Sequence, residues 1–349
     1  MHSPSIYAIA SSTLIPSVTS FCTLPNPSNG CGKPLPNALL PGGPSINFTL
    51  TSPLGGGERK YLLHLPEAFS VKNDIPAPVI LAFGGFTQPT WSMEEMTQFS
   101  DPNMNKDYIA VYPEGLNNVW LGDPGAPNSS TVDDRPFISD LLDVLEKSLC
   151  IDKSRIYTTG LSNGGGLSGL IACSPSLSRR IAAFSGVSAA YYTTESLGYS
   201  LFEEEACQPG GLTRKIPYLH IHGDKDMVIA YNGDNSYFDI DENGIPDPDT
   251  LPVPRWLNDW AIRNGCPAGT DNKTSVQENG TVAKTTWSCG GRNEVVTGYY
   301  VEGLGHGWPS TTPEDERLEA FRLGPTTWNA STVLMEWFDQ WNVPAEEKG

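Results

Sequence analysis

Gly160-Leu161-Ser162-Asn163-Gly164 sets a serine between two glycines, each two positions away. A β-branched and aromatic run, Ile156-Tyr157-Thr158-Thr159, precedes it, and the small-residue run Leu167–Ala172 follows. Strand, sharp turn and helix in that order form the setting of a nucleophile elbow. The turn holds the serine in a strained backbone conformation. The flanking glycines let strand and helix approach with no Cβ between them. The serine oxygen is then exposed, and the N–H of Asn163 points to where an oxyanion would form. A serine hydroxyl is a weak nucleophile at neutral pH. It needs a histidine base, and the base needs a carboxylate to fix its tautomer.

With five histidines in the chain the search for the base is short. His2 lies in the N-terminal segment, and His64 and His220 fall inside predicted strands. His222 and His306 remain. His306 sits in Glu302-Gly303-Leu304-Gly305-His306-Gly307-Trp308-Pro309, just past the last predicted strand, where glycines and a Trp-Pro wall can mount a base. The acid is expected in the loop His222-Gly223-Asp224-Lys225-Asp226-Met227-Val228. Two aspartates compete there: Asp224 is suited to capping the turn, and Asp226 stands further into the loop. The second oxyanion donor is expected from Gly84-Gly85-Phe86-Thr87-Gln88, at the N–H of Phe86. Trp91, Trp120, Tyr191, Tyr192 and Trp308 follow strands, and Trp120 and Trp308 are the candidate walls of an acyl pocket.

These residues need strands to carry them. Ser45–Thr51 and Arg59–Pro66 alternate around the turn Leu54–Gly57 and predict a hairpin. Pro78–Gly85 and Tyr108–Glu114 are continuous apolar runs, as in strands buried on both faces. Further strands are predicted at Ile181–Ala189, Pro217–Gly223 and Glu294–Gly303. Helical spacing marks Ile138–Leu149, Pro254–Gly265 and Trp328–Trp341. Strands alternating with helices predict an α/β fold, a mostly parallel sheet with helices on both faces. Among 349 residues there is no linker-like break, so 22–349 is read as one catalytic domain and 1–21 as a candidate leader, although Met1–Ser20 lacks a basic n-region. A net charge of −18 argues against nucleic acid and anionic membranes as partners. Seven cysteines and the sequons at Asn47, Asn128, Asn272, Asn279 and Asn329 point to an oxidising, extracellular setting.

G-L-S-N-G-G-G, H-G-D-K-D and G-L-G-H-G-W-P in this order resemble the secreted feruloyl esterases of fungi. That carbohydrate-esterase family includes acetylxylan esterases and is related to polyhydroxybutyrate depolymerases. Cys31-Gly32-Lys33, V-Y-P-E-G at 111–115 and D-D-R-P-F-I at 133–138 extend the likeness over roughly residues 30–340. The resemblance implies the α/β-hydrolase fold and selects Asp226 as the acid, giving a Ser162, Asp226, His306 triad. It implies a secreted, monomeric serine esterase that needs no cofactor or metal and acts on feruloylated plant cell-wall polysaccharide. Acetylxylan esterase and polyhydroxybutyrate depolymerase are the alternatives within enzymes; an inactive carbohydrate-binding relative is the alternative outside them. One departure stands out: relatives carry His-Gly where this chain has Gly84-Gly85. Placed on such a fold, the cysteines are expected to pair as Cys31–Cys207, Cys150–Cys173 and Cys266–Cys289, with Cys22 left over. Asp239–Thr250 begins like a calcium loop, but Thr250 stands where the closing Glu belongs, so a polar turn is the better reading.

Overall fold

The computed structural model describes residues 24–344 apart from 37, 128–129, 194–201, 203–205, 211–213, 234–249 and 267–271. The candidate leader, Cys22, the sequon at Asn128 and all of the Asp239–Thr250 segment except its last residue lie outside the described residues.

Ten strands make one sheet: β1 Ile46–Ser52, β2 Gly57–His64, β3 Ala77–Phe83, β4 Ile109–Pro113, β5 Ile151–Gly160, β6 Ala183–Val187, β7 Tyr218–Gly223, β8 Asn272–Gln277, β9 Val282–Cys289 and β10 Arg292–Val301. Their spatial order is β1-β2-β4-β3-β5-β6-β7-β10-β9-β8. The centre, from β4 to β10, is parallel, and both edges are antiparallel. Strands β3, β4, β6 and β7 are buried along their whole length, which is why their sequences are continuous apolar runs rather than alternating ones. The chain steps one way from β3 to β4 and the other way to β5. The reversal opens a crevice at the C-terminal ends of β3 and β5, the place where sheets of this kind bind ligands.

Helices α1 (Thr90–Thr97), α2 (Asp134–Ser148), α3 (Asn163–Cys173), α4 (Val253–Arg263), α5 (Glu316–Arg322) and α6 (Ala330–Phe338) cover the sheet. α2 turns Phe137, Ile138, Leu141, Leu142 and Leu145 inward and is capped by the Asp133 carboxylate on the Arg135 N–H. Every residue of α3 is buried, and its glycines fit the helix onto the sheet. The run at 133–138 has a structural reading. Asp134, buried with Arg59 at 2.8 Å, also accepts the Leu121 N–H, and so ties β2 and α2 to the loop after β4. Four elements escaped the sequence pattern: β8, β9, α1 and α5. β8 reads N-K-T-S-V-Q, exposed throughout and without alternation, and it exists by pairing with β9. α1 and α5 are too short to show a helical period.

The expected disulfides need correction. Cys266–Cys289 is present, but the other bonds are Cys31–Cys150 and Cys173–Cys207. The N-terminal arm lies alongside the start of β5, where Pro27 bridges Asp152 and the Ser28 N–H donates to Ile151 O. Cys31 is thereby delivered to Cys150. The end of α3 is left for Cys207.

Candidate active site

β5 ends at Gly160, and Ser162 turns the chain at φ 54° and ψ −121° before α3 begins. The two glycines are forced. A Cβ on Gly160 would lie 2.4 Å from Gly164 backbone atoms, and one on Gly164 would lie 2.3 Å from Phe83 O. Such a backbone conformation costs about 1–3 kcal/mol for a residue with a side chain. The surroundings hold it: the Ser162 N–H donates to Val187 O at 3.0 Å, and Ser162 O accepts from the N–H groups of Gly166 and Ala190 at 3.0 Å. The backbone of Ser162 is fully engaged, while its Oγ has no hydrogen-bond partner among the described residues.

His306 follows β10. Its N–H donates to Phe321 O at 2.8 Å, and the Gly305 N–H donates to Arg322 O at 2.9 Å, so the end of α5 pins the histidine loop. His306 Nδ1 lies 2.8 Å from Asp226 Oδ2. Asp226 is almost fully buried, and its Oδ1 accepts the Val228 and Ile229 N–H groups at 3.0 and 2.8 Å. Burial alone would raise this carboxyl, but the charge and hydrogen bond of His306 and the donor of His222 hold it well below the ordinary carboxylate range. Asp224 does different work: its Oδ1 accepts the Gly303 N–H at 2.5 Å and ties the β7 loop to the end of β10. Ser162 and His306 open into one cavity of about 400 Å³ with no direct hydrogen bond between them. Such contacts often tighten only when substrate is bound.

Between Gly85 and Gln88 the backbone spends all but one of its donors. The Gly85 N–H donates to Gln88 Oε1 at 2.7 Å, Thr87 N–H to Asn118 O at 2.8 Å, and Gln88 N–H to Gly85 O at 3.1 Å. The Phe86 N–H is left, and Asn163 N–H, at the first turn of α3, has no acceptor within its helix. The Gln88 side chain braces this loop, since its Nε2 also reaches Ser92 Oγ at 3.2 Å.

Trp120 and Trp308 do not line the cavity, which corrects the expectation for both. Each indole is buried, with its N–H satisfied internally: Trp120 donates to Gly84 O at 2.9 Å and Trp308 to Ser331 Oγ at 3.0 Å. Trp120 braces the elbow instead, because its backbone N–H donates to Asn163 Oδ1 at 2.8 Å. The aromatic walls are Phe86, Trp91 and Phe321, which are 55%, 58% and 42% exposed and sit beside Pro89, Val228 and Leu318. Tyr191 is buried in the core. Trp91 was legible as a loop aromatic. Phe321 was not, because nothing in the sequence pattern marked α5.

α5 is anchored by buried Arg322, which donates to Trp308 O and Thr312 O and pairs with Glu314 and Glu319. Burial pushes the Glu314 carboxyl up to about 7, against the pull of Arg322. A carboxyl raised on folding stabilises the fold below its unfolded value, and that contribution is lost as pH rises through about 7. Glu314→Gln removes this titration. The expected result is a Tm that falls less than that of wild type between about pH 5 and about pH 8. Thermal melts across that range check it, and parallel curves for the two proteins would contradict it.

The fold is that of the α/β-hydrolases, and a serine elbow with a histidine–carboxylate pair on one crevice is the arrangement of a serine hydrolase. Comparison narrows the likeness. Feruloyl esterase D of Neurospora crassa is 27% identical over 260 residues, covering 60% of this chain and 82% of that one. Feruloyl esterase C of Emericella nidulans is 30% identical over 189 residues, half of this chain and 57% of that one. Among solved structures, the acetyl xylan esterase of Aspergillus awamori superposes with a TM-score of 0.56 at 15% identity, over 84% of this chain and 99% of that one. No family model matches the chain.

Proposed function

We propose that this chain is a secreted serine esterase that releases ferulic or related hydroxycinnamic acids from plant cell-wall polysaccharide. Ser162 Oγ attacks the ester carbonyl, and His306 Nε2 takes its proton and then delivers it to the departing sugar hydroxyl. Asp226 keeps the His306 proton on Nδ1, and the N–H groups of Phe86 and Asn163 hold the oxyanion. Water activated by His306 then frees the acid and returns the serine.

The observation that carries the acyl assignment is the aromatic wall. A cavity of about 400 Å³ beside Ser162, flanked by Phe86, Trp91 and Phe321, suits a planar aromatic acid and is larger than an acetyl group needs. Three disulfides support an extracellular setting. Of the sequons, Asn47, Asn272 and Asn279 are exposed, whereas Asn329 caps α6 with its side-chain oxygen on the Ser331 N–H. The enzyme acts as a monomer. Among the described residues no helix is long and apolar enough to cross a membrane, and no cluster of three or more His, Cys, Asp or Glu side chains could hold a metal.

The test is hydrolysis of methyl ferulate, an aryl acetate and polyhydroxybutyrate, with Phe321→Ala beside wild type. The expected result is a preference for the ferulate that Phe321→Ala lowers by about tenfold, the scale of one buried aromatic contact. Activity confined to the acetate or to the polyester would reassign the acyl group. A folded protein silent on every ester would leave carbohydrate binding as the reading.

A further inference from the structure

Asp226 has a second imidazole on it. His222 Nε2 lies 3.2 Å from Asp226 Oδ2 and 2.7 Å from the carbonyl oxygen of Ile229. A carbonyl only accepts, so Nε2 carries the proton and Nδ1 of neutral His222 is an acceptor. That acceptor lies 2.9 Å from His220 Nε2, which must therefore donate. His220 Nδ1 in turn accepts from the Tyr191 hydroxyl at 2.8 Å, and Tyr191 accepts from Tyr218 at 2.9 Å. One backbone carbonyl thus sets the direction of four consecutive hydrogen bonds.

All four side chains are fully buried. His220 and His222 share one face of β7, as residues two apart must. A Cβ on Gly186 would lie 3.2 and 3.3 Å from the two tyrosine oxygens, so the glycine makes room for the hydroxyl pair. The far end packs against Trp256 and Trp260. Burial pushes both tyrosines up and His220 well down, and so keeps these groups neutral.

We infer that the file Tyr218–Tyr191–His220–His222 presents a fixed N–H to Asp226, and that His222 is a positioning residue for the base His306. This rests on the esterase reading of Ser162, Asp226 and His306. Two backbone N–H groups hold Oδ1, leaving Oδ2 between His222 and His306. The His222 N–H is shared, with its shorter arm on Ile229 O at 2.7 Å and its longer arm reaching Oδ2 at 3.2 Å; with His306 on the other side, Oδ2 keeps its direction and its basicity is reduced. It orients His306 without taking the proton that His306 must pass on. The titratable groups facing His222 are His220, Asp226 and the Tyr231 ring, with His306 beyond Asp226.

Three variants test this. His222→Phe keeps a ring and deletes the donor, His222→Gln restores a side-chain N–H, and Tyr191→Phe breaks the file without touching Asp226. His222→Phe is expected to lower kcat on methyl ferulate by about 10- to 100-fold with KM unchanged, the loss of one hydrogen bond to a charged group. Oδ2 becomes more basic, imidazolium is favoured at His306, and the acid limb of the kcat/KM profile moves to higher pH. His222→Gln recovers most of the rate. The low-field proton of His306 Nδ1–H, read by NMR in a Ser162→Ala background, shifts in His222→Phe and by less in Tyr191→Phe.

A folded His222→Phe with unchanged kcat, profile and resonance would overturn the inference, as would a Gln variant no better than Phe. If His222→Phe does not fold, an unmoved resonance in Tyr191→Phe overturns it. Shifted resonances in a protein inactive on every ester would support the positioning role while removing the esterase reading.

Discussion

Ser162→Ala abolishes turnover, with kcat falling by about 10⁵- to 10⁶-fold, while the protein melts where wild type does. The two halves of this expectation have different sources. In the proposed reaction Ser162 Oγ forms the bond to the acyl carbon, and no other hydroxyl is held at the apex of the elbow. Ser162 Oγ also has no hydrogen-bond partner among the described residues, so its removal strips no bond from them. The strained φ of 54° is imposed by the backbone bonds to Val187 and Ala190, which alanine keeps. A change in stability within about 0.5 kcal/mol follows, as for substitutions that break no contact. Some catalysis over water survives, since the N–H groups of Phe86 and Asn163 are untouched. Labelling by a fluorophosphonate makes the measurement sharp: wild type is labelled and Ser162→Ala is not. Labelling of the variant at another hydroxyl, or kcat within a hundredfold of wild type, would remove Ser162 from the proposed role.

The elbow and the strands were legible in the sequence because each obeys a local rule. Gly160 is required by Gly164, four residues on, and although Gly164 answers to Phe83 O on the neighbouring strand, the G-x-S-x-G spacing shows both; β3 and β4 are buried on both faces, so their sequences show it. Ser162 and His306 were legible for a related reason: they are polar residues at the ends of apolar runs. What stayed hidden depends on chain segments meeting from far away. Cys31 pairs with Cys150 because the arm runs beside β5, and no spacing encodes that. Trp120 and Trp308 carry the same residue type as a pocket wall, but an indole with an internal acceptor belongs to the core. Phe321 lines the cavity from α5, whose seven residues are fixed by the buried Arg322 rather than by a periodic stripe. The part His222 plays was hidden too, because it depends on Ile229 O and His220 standing on either side of it.

Asp226→Asn is the sharper probe of the base, because the structure dictates how the amide must sit. The two backbone N–H groups of Val228 and Ile229 donate to Oδ1, so an asparagine places its oxygen there and its NH₂ at the Oδ2 position. That NH₂ is a donor facing His306 Nδ1, 2.8 Å from where Oδ2 now accepts. His306 can then pair only by presenting a bare Nδ1, which moves its proton to Nε2. The wrong tautomer has no lone pair to accept the Ser162 proton. The reverse orientation of the amide would set NH₂ against two backbone donors, so no flip rescues it. The expected drop in kcat is about 10⁴-fold, the scale seen when an orienting carboxylate becomes an amide, with KM little changed. Asp226→Ala differs: it leaves the Val228 and Ile229 N–H groups and the His306 Nδ1–H without an acceptor, so it also loses stability. A kcat for Asp226→Asn within tenfold of wild type would place the orienting carboxylate elsewhere. Asp224 is a poor substitute, because its Oδ1 is already committed to the Gly303 N–H and its Oδ2 lies 2.9 Å from Lys225 Nζ.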